Sequence, residues 1–92
     1  MAKALIKVNV AYPHAFKETF EKQGRDRTAE GAGSFIIALD DDVYNNVYII
    51  VDWDSINSSR RFWASPKGKT HITEWGSVSD PDFVFLRGSL NH

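Results

Sequence analysis

Residues 47–66 read VYIIVDWDSINSSRRFWASP, and this stretch decides the fold. Val47, Ile49, Val51 and Trp53 alternate along one side of an extended segment, while Tyr48 and Ile50 keep much of the other side apolar. A period of two in β-branched and aromatic residues is a strand signature. Ser55 follows, with a side-chain oxygen suited to the free N–H groups of a helix start. The helix it opens runs from Ile56 to about Ala64 and buries Ile56, Ser59, Phe62 and Trp63. Ser65-Pro66 is a second cap followed by a proline whose missing N–H costs nothing at a first helical position. It starts a shorter helix to about Trp75, weakened by Gly68.

Upstream of this stretch, residues 40–46 are polar and carry Asn45-Asn46, which predicts a hairpin turn. Residues 34–39 then form the partner strand, with Phe35, Ile37 and Leu39 on one side and Ile36 and Ala38 on the other. Before it, Pro13 opens a helix reaching about Arg27. Phe16 and Phe20 stand four apart on its inner face, with Gln23 or Gly24 in line. In the first strand, residues 4–10, Ile6, Val8 and Val10 alternate with Leu5, Lys7 and Asn9. Downstream, Pro81 precedes a last strand over residues 83–87, with Phe83 and Phe85 on one side and Val84 and Leu86 on the other.

The resulting order, β-α-β-β-α-(α)-β, predicts an α+β, ferredoxin-like domain spanning residues 1–92. Right-handed crossovers give an antiparallel sheet of order 4-1-3-2 with the helices on one face. A sheet face left to water should turn polar. Three of the four strands here are apolar on both sides, which points to a homodimer packed sheet to sheet.

Charge and composition exclude several functions. Eleven basic and twelve acidic side chains leave a net charge of −1, which gives no basic surface for nucleic acid or for an anionic membrane. The absence of cysteine removes disulfides, thiol catalysis and thiolate-bound metal, and suits a reducing, cytoplasmic setting. The longest apolar run, residues 47–51, is too short to span a bilayer, and Lys3 and Lys7 interrupt any signal-peptide core. Asp40-Asp41-Asp42 lacks the spaced ligands, glycine and distal glutamate of a calcium loop, so it reads as a solvated hairpin tip and no metal site is expected.

Trp53-Asp54-Ser55 closing a strand, then Phe62-Trp63-Ala64-Ser65-Pro66 closing a helix, resemble the dimeric α+β-barrel superfamily, and within it the antibiotic-biosynthesis-monooxygenase type of domain. The resemblance extends to element order over nearly the whole chain. It implies two sheets closing a barrel in a homodimer, a pocket in each subunit between helices and sheet, and no organic cofactor. Fold is implied better than activity, because one fold hosts many chemistries.

The same resemblance implies site residues. Asn9 looks like a pocket asparagine of the first strand, able to hydrogen-bond a phenol or an oxygen species; its alternative is a bond to local backbone or to the partner subunit. Phe62 and Trp63 look like aromatics that line the pocket around a small aromatic ligand, or else a plain core pair. His71 falls near the axial histidine of heme-degrading relatives, offset by about one residue, and otherwise reads as a surface or interface histidine. His14 and His92 read as exposed and uninformative. Lys7, Asp52 and Arg87 lie on neighbouring strands and are expected to cluster, as an interface salt bridge or as an anion site. The leading function is a cofactor-independent monooxygenase acting on an electron-rich aromatic. The alternatives are a non-catalytic dimeric binding or structural module and a heme-binding protein.

Overall fold

The computed structural model describes residues 2–88. The chain runs β1 (Ala2–Asn9), α1 (Pro13–Lys22), α2 (Gly24–Ala29), β2 (Ala32–Leu39), β3 (Asn46–Trp53), α3 (Ile56–Ala64), α4 (Pro66–Glu74) and β4 (Asp82–Leu86). The four strands form one antiparallel sheet in the order β2-β3-β1-β4, the arrangement predicted from the crossovers. His92 lies outside the described residues.

Strand parity determines what each sheet face meets. Ala4, Ile6 and Val8 of β1 stand opposite Val51, Ile49 and Val47 of β3, and all six are buried beneath the helices. Trp53, Phe16, Phe20, Phe62, Trp63 and Trp75 complete this layer. Phe83 and Phe85 of β4 register with Ile6 and Ala4 and pack on the same side. The other face carries Leu5, Ile36, Ile50, Val84 and Leu86 with no helix over it. There Ile36 is 66% exposed and Val84 48%.

The first helix differs from expectation by breaking at Gln23 into α1 and α2. The N–H of Gln23 is shared between the carbonyls of Thr19 and Phe20, a tightened last turn. The Arg27 guanidinium then lies 3.7 Å from the Phe20 ring centroid and donates from Nη2 to the Phe20 carbonyl at 2.9 Å. Burial lowers the pKa of this arginine to about 10. A cation placed on the terminal carbonyl of α1 stabilises that end.

Two glycines are positioned by close approach. Gly31 has φ 113°, and a Cβ there would meet the Asp54 carboxylate at 2.7 Å. It leads into β2, which starts before the expected residue 34 and carries an irregularity between Ala32 and Phe35. Gly68, expected to weaken its helix, instead lets α4 press on the end of α3: a Cβ there would lie 2.1 Å from the Phe62 carbonyl oxygen. Ser65 serves both helices, donating to the Phe62 carbonyl at 2.6 Å and accepting from the Gly68 N–H at 3.1 Å.

Candidate functional site: a cleft between the helix pairs

Between α1–α2 on one side and α3–α4 on the other lies an open cleft of about 930 Å³. Its size is that of a pocket for a small organic molecule. Pro66 of α4 supplies apolar surface and Phe62 of α3, only 2% exposed, a small part of it, while Thr19, Gln23, Asp26, Thr70, His71 and Glu74 supply polar groups. Gln23 enters because it continues the Phe16–Phe20 face, and Asp26 follows it by three residues. His71 and Glu74 are likewise three apart on α4, so two helical faces meet across the cleft.

These groups are wired together. His71 Nε2 and Asp26 Oδ2 are 3.0 Å apart. Lys67 Nζ stands 3.7 Å from the other oxygen of Asp26. The hydrogen bond from His71, and to a lesser degree the charge of Lys67, hold the Asp26 carboxyl below its ordinary range. Gln23 Nε2 donates to Glu74 Oε1 at 2.9 Å and to the His71 carbonyl at 3.2 Å, while its Oε1 accepts from Trp75 Nε1 at 2.8 Å. The Phe62 ring lies 5.4 Å from the imidazole, edge to face. His71 is 4% exposed, so it is neither a surface nor an interface histidine. Its Nδ1 is buried without a partner.

The expected site residues divide between three places. His71 and Phe62 share the cleft. Trp63 faces away from it, packed on Trp53, Trp75 and Phe83, and lines a smaller groove of about 440 Å³ beside β4. Asn9 alternates with the buried Val8 and Val10, so it lies on the open sheet face and donates from Nδ2 to Asn46 Oδ1 at 2.8 Å. The sheet therefore stands between Asn9 and Trp63, and the two share no cavity.

The Lys7–Asp52–Arg87 cluster does not form. Asp52 pairs with Lys3, its direct neighbour across β1 and β3, and accepts from Ser34 Oγ at 3.0 Å. These two bonds, Lys3 first, hold its pKa down. Lys7 is four residues further along β1, roughly 13 Å at strand rise, and sits 5.9 Å from the Tyr48 ring centroid. Arg87 lies beyond the end of β4 and is exposed.

No group of three or more His, Asp or Glu side chains among the described residues is arranged to hold a metal ion. Heme ligation by His71 does not fit either, because Asp26 takes Nε2 and Nδ1 is sealed. Sequence reasoning missed Gln23, Asp26 and Glu74 as cleft residues. The signal was present only for Gln23, as the polar residue in line with Phe16 and Phe20.

No family model matches this sequence, and no curated protein matches it. Solved structures do. SnoaB, a cofactor-independent oxygenase from Streptomyces nogalater, is 20% identical, with 99% of this chain and 97% of that one covered and a TM-score of 0.72. A protein of Bordetella bronchiseptica, whose antibiotic biosynthesis monooxygenase activity is itself an assignment, is 12% identical with a TM-score of 0.82 over 97% of both chains. A conserved protein from Methanosarcina mazei is 14% identical, with 97% of this chain and 94% of that one covered and a TM-score of 0.64. At such identities the likeness concerns architecture: over its whole length the chain has the ferredoxin-like fold of the antibiotic biosynthesis monooxygenase domains.

Proposed function

We propose that the protein is a homodimeric binding module for a small aromatic molecule, held in the cleft between the helix pairs of each protomer. The observation that carries this is about 930 Å³ of open space walled by Pro66, Thr70 and Asp26, with the buried Phe62, Gln23 and His71 reaching its floor. Apolar walls with a few convergent polar groups are how such sites combine affinity with orientation. Asn9, on the open sheet face, supplies nothing to this cleft, and neither does Trp63. That loss of two expected site residues favours binding over catalysis.

Titration with naphthols tests the proposal, read by tryptophan fluorescence, because Trp75 is bonded to the cleft residue Gln23. Saturable binding should appear and be lost in Thr70→Trp, which fills the cleft from its exposed wall. Absence of saturation, or binding indifferent to that substitution, would remove the cleft as the site.

A second reading is oxygenation without an organic cofactor, favoured by the His71–Asp26 pair and by the fold shared with SnoaB. A hydroxyarene and O2 would give a quinone and water. The substrate supplies all four electrons, one oxygen atom enters the ring, and both displaced hydrogens end in water. Asp26, which the hydrogen bond from His71 holds ionised, would take the hydroxyl proton. Oxygen uptake on adding a bound naphthol, lost in His71→Ala, separates this reading from binding alone.

A further inference from the structure

Nine large apolar side chains are exposed among the described residues. Ile36, Ile50, Val84 and Leu86 lie on the open sheet face. The other five, Tyr12, Leu39, Val43, Tyr44 and Val78, all gather at one end of the sheet, where β1 and β2 finish and β3 and β4 begin. Three loops meet there and are bonded to one another. The Val10 N–H donates to the Asn45 carbonyl at 3.0 Å, and Asn45 Nδ2 donates to the Val10 carbonyl at 2.7 Å. The Val78 N–H donates to the Asn9 carbonyl at 2.8 Å. The apolar groups are therefore presented on a built platform, which keeps the ordering cost of a contact low. Tyr12 is 76% exposed and stands at the N-cap of α1, yet its side chain caps nothing. None of the five lines the cleft between the helix pairs.

The charge at this end is one-sided. Residues 8–16, 40–47 and 76–86 contain five carboxylates, Asp40, Asp41, Asp42, Asp80 and Asp82, and no lysine or arginine. Lys7, opposite Asp82 across β1 and β4, offsets one of them. Lys17 of α1 is taken up by Glu21 at 3.2 Å. Asp41, Asp42 and Asp80 have no cation within ion-pair distance among the described residues. Apolar surface with tyrosines inside a rim of one charge is the make-up of a protein-docking face. The same charge repels anionic lipid and nucleic acid, and repels this end of a second copy. We infer that this end of the sheet docks a basic segment of a partner protein. The segment's lysines or arginines face Asp41, Asp42 and Asp80, and its apolar side chains lie on Tyr12, Tyr44 and Val78.

The probe is a peptide of about twelve residues built from lysine and leucine. It is compared with a lysine–serine peptide of equal charge and a glutamate–leucine peptide of equal apolar content. Each is titrated into the isotope-labelled full chain and followed by backbone amide shifts. The lysine–leucine peptide should saturate, with shifts centred on residues 10–14, 41–46 and 76–80. The lysine–serine peptide should bind about tenfold more weakly, and the glutamate–leucine peptide not at all. Asp41→Asn combined with Asp42→Asn, and separately Tyr44→Ser, should each weaken the lysine–leucine peptide about fivefold or more. The fold should survive both, because these side chains are exposed and Asp40, which caps the turn, is left in place. Equal binding of the lysine–leucine and lysine–serine peptides would reduce the end to plain charge attraction and overturn the docking face. Shifts concentrated on the open sheet face or in the cleft would place the contact elsewhere, and a lysine–leucine peptide that never saturates would remove it.

Discussion

A methyl group on Gly68 would land 2.1 Å from a backbone oxygen, a contact no side-chain rotation relieves. Helix propensity alone ranks alanine about 1 kcal/mol above glycine at such a position. The packing term has the opposite sign and is larger, since forcing α4 off α3 costs on the order of 1–3 kcal/mol. Gly68→Ala should therefore lower stability in chemical denaturation; a gain would mean that α4 sits further from α3 than described. Asp40 makes a second single-residue case. Its Oδ1 accepts from the N–H groups of Asp42 and Val43 at 2.8 and 3.0 Å, and its Oδ2 from the Tyr48 hydroxyl at 3.1 Å. The two backbone bonds, first, and Tyr48 hold its pKa below the ordinary carboxylate value. A lowered folded pKa stabilises above the unfolded pKa, near 4, and the stabilisation is lost as pH falls through the folded value. Asp40→Asn should lower stability at neutral pH and show a flatter acid limb, with the gap to the parent protein closing as pH falls through the lowered folded pKa. Parallel denaturation curves at all pH values would contradict it. The acidic run at 40–42 thus has a local purpose, capping its own turn, that charge counting alone does not reveal.

At the scale of elements, legibility follows range. A strand declares its buried face by alternation, so the partition of Ile6, Val8, Ile49 and Val51 under the helices could be read directly, and with it the sheet order. The same alternation placed Asn9 on the opposite face from Val8, and it outweighs the resemblance that put Asn9 in a pocket. The α1–α2 break was not legible, because it depends on Arg27 folding back onto the Phe20 carbonyl. The cleft was not legible either: it is made by polar residues far apart in sequence, such as Gln23 and Glu74, that carry no periodic signal of their own. Phe20, fully buried against Phe16, Phe35 and Trp75, tests the face assigned to α1. Phe20→Ala should cost about 3–5 kcal/mol. A loss under about 1 kcal/mol in denaturant titration would mean that the ring is not in the core. Gln23→Leu keeps the volume but leaves Trp75 Nε1 without its acceptor, and should cost roughly 1–3 kcal/mol for the orphaned group.

For the whole molecule, the open sheet face decides what the protomer does alone. Ile36, Ile50, Val84 and Leu86 lie across all but the β1 strand of that face, with Leu5 of β1 at their centre. Their exposures of 66%, 37%, 48% and 38% leave a contiguous apolar area on a small protein. A monomer would hold that area in water, whereas a second copy could cover it by a two-fold contact in which each sheet buries the other. Lys3–Asp52–Ser34 at one end of the face and Asn9–Asn46 with Lys7 at the other would form the polar rim around this centre. Sedimentation at micromolar concentration should therefore give twice the chain mass of 10.4 kDa, with an interface above about 1,200 Å² in total. Ile50→Lys places a charge at the centre of the contact on a side chain that no helix covers. It should shift the protein to monomer at the same concentration while far-UV circular dichroism stays unchanged, because the opposite face of β3 still carries the core. A parent chain that sediments as a monomer would refute the sheet-to-sheet dimer outright. An Ile50→Lys dimer would place the contact elsewhere on the surface, and the cleft between the helices, now a candidate interface, would then have to be tested for ligand in the assembled state.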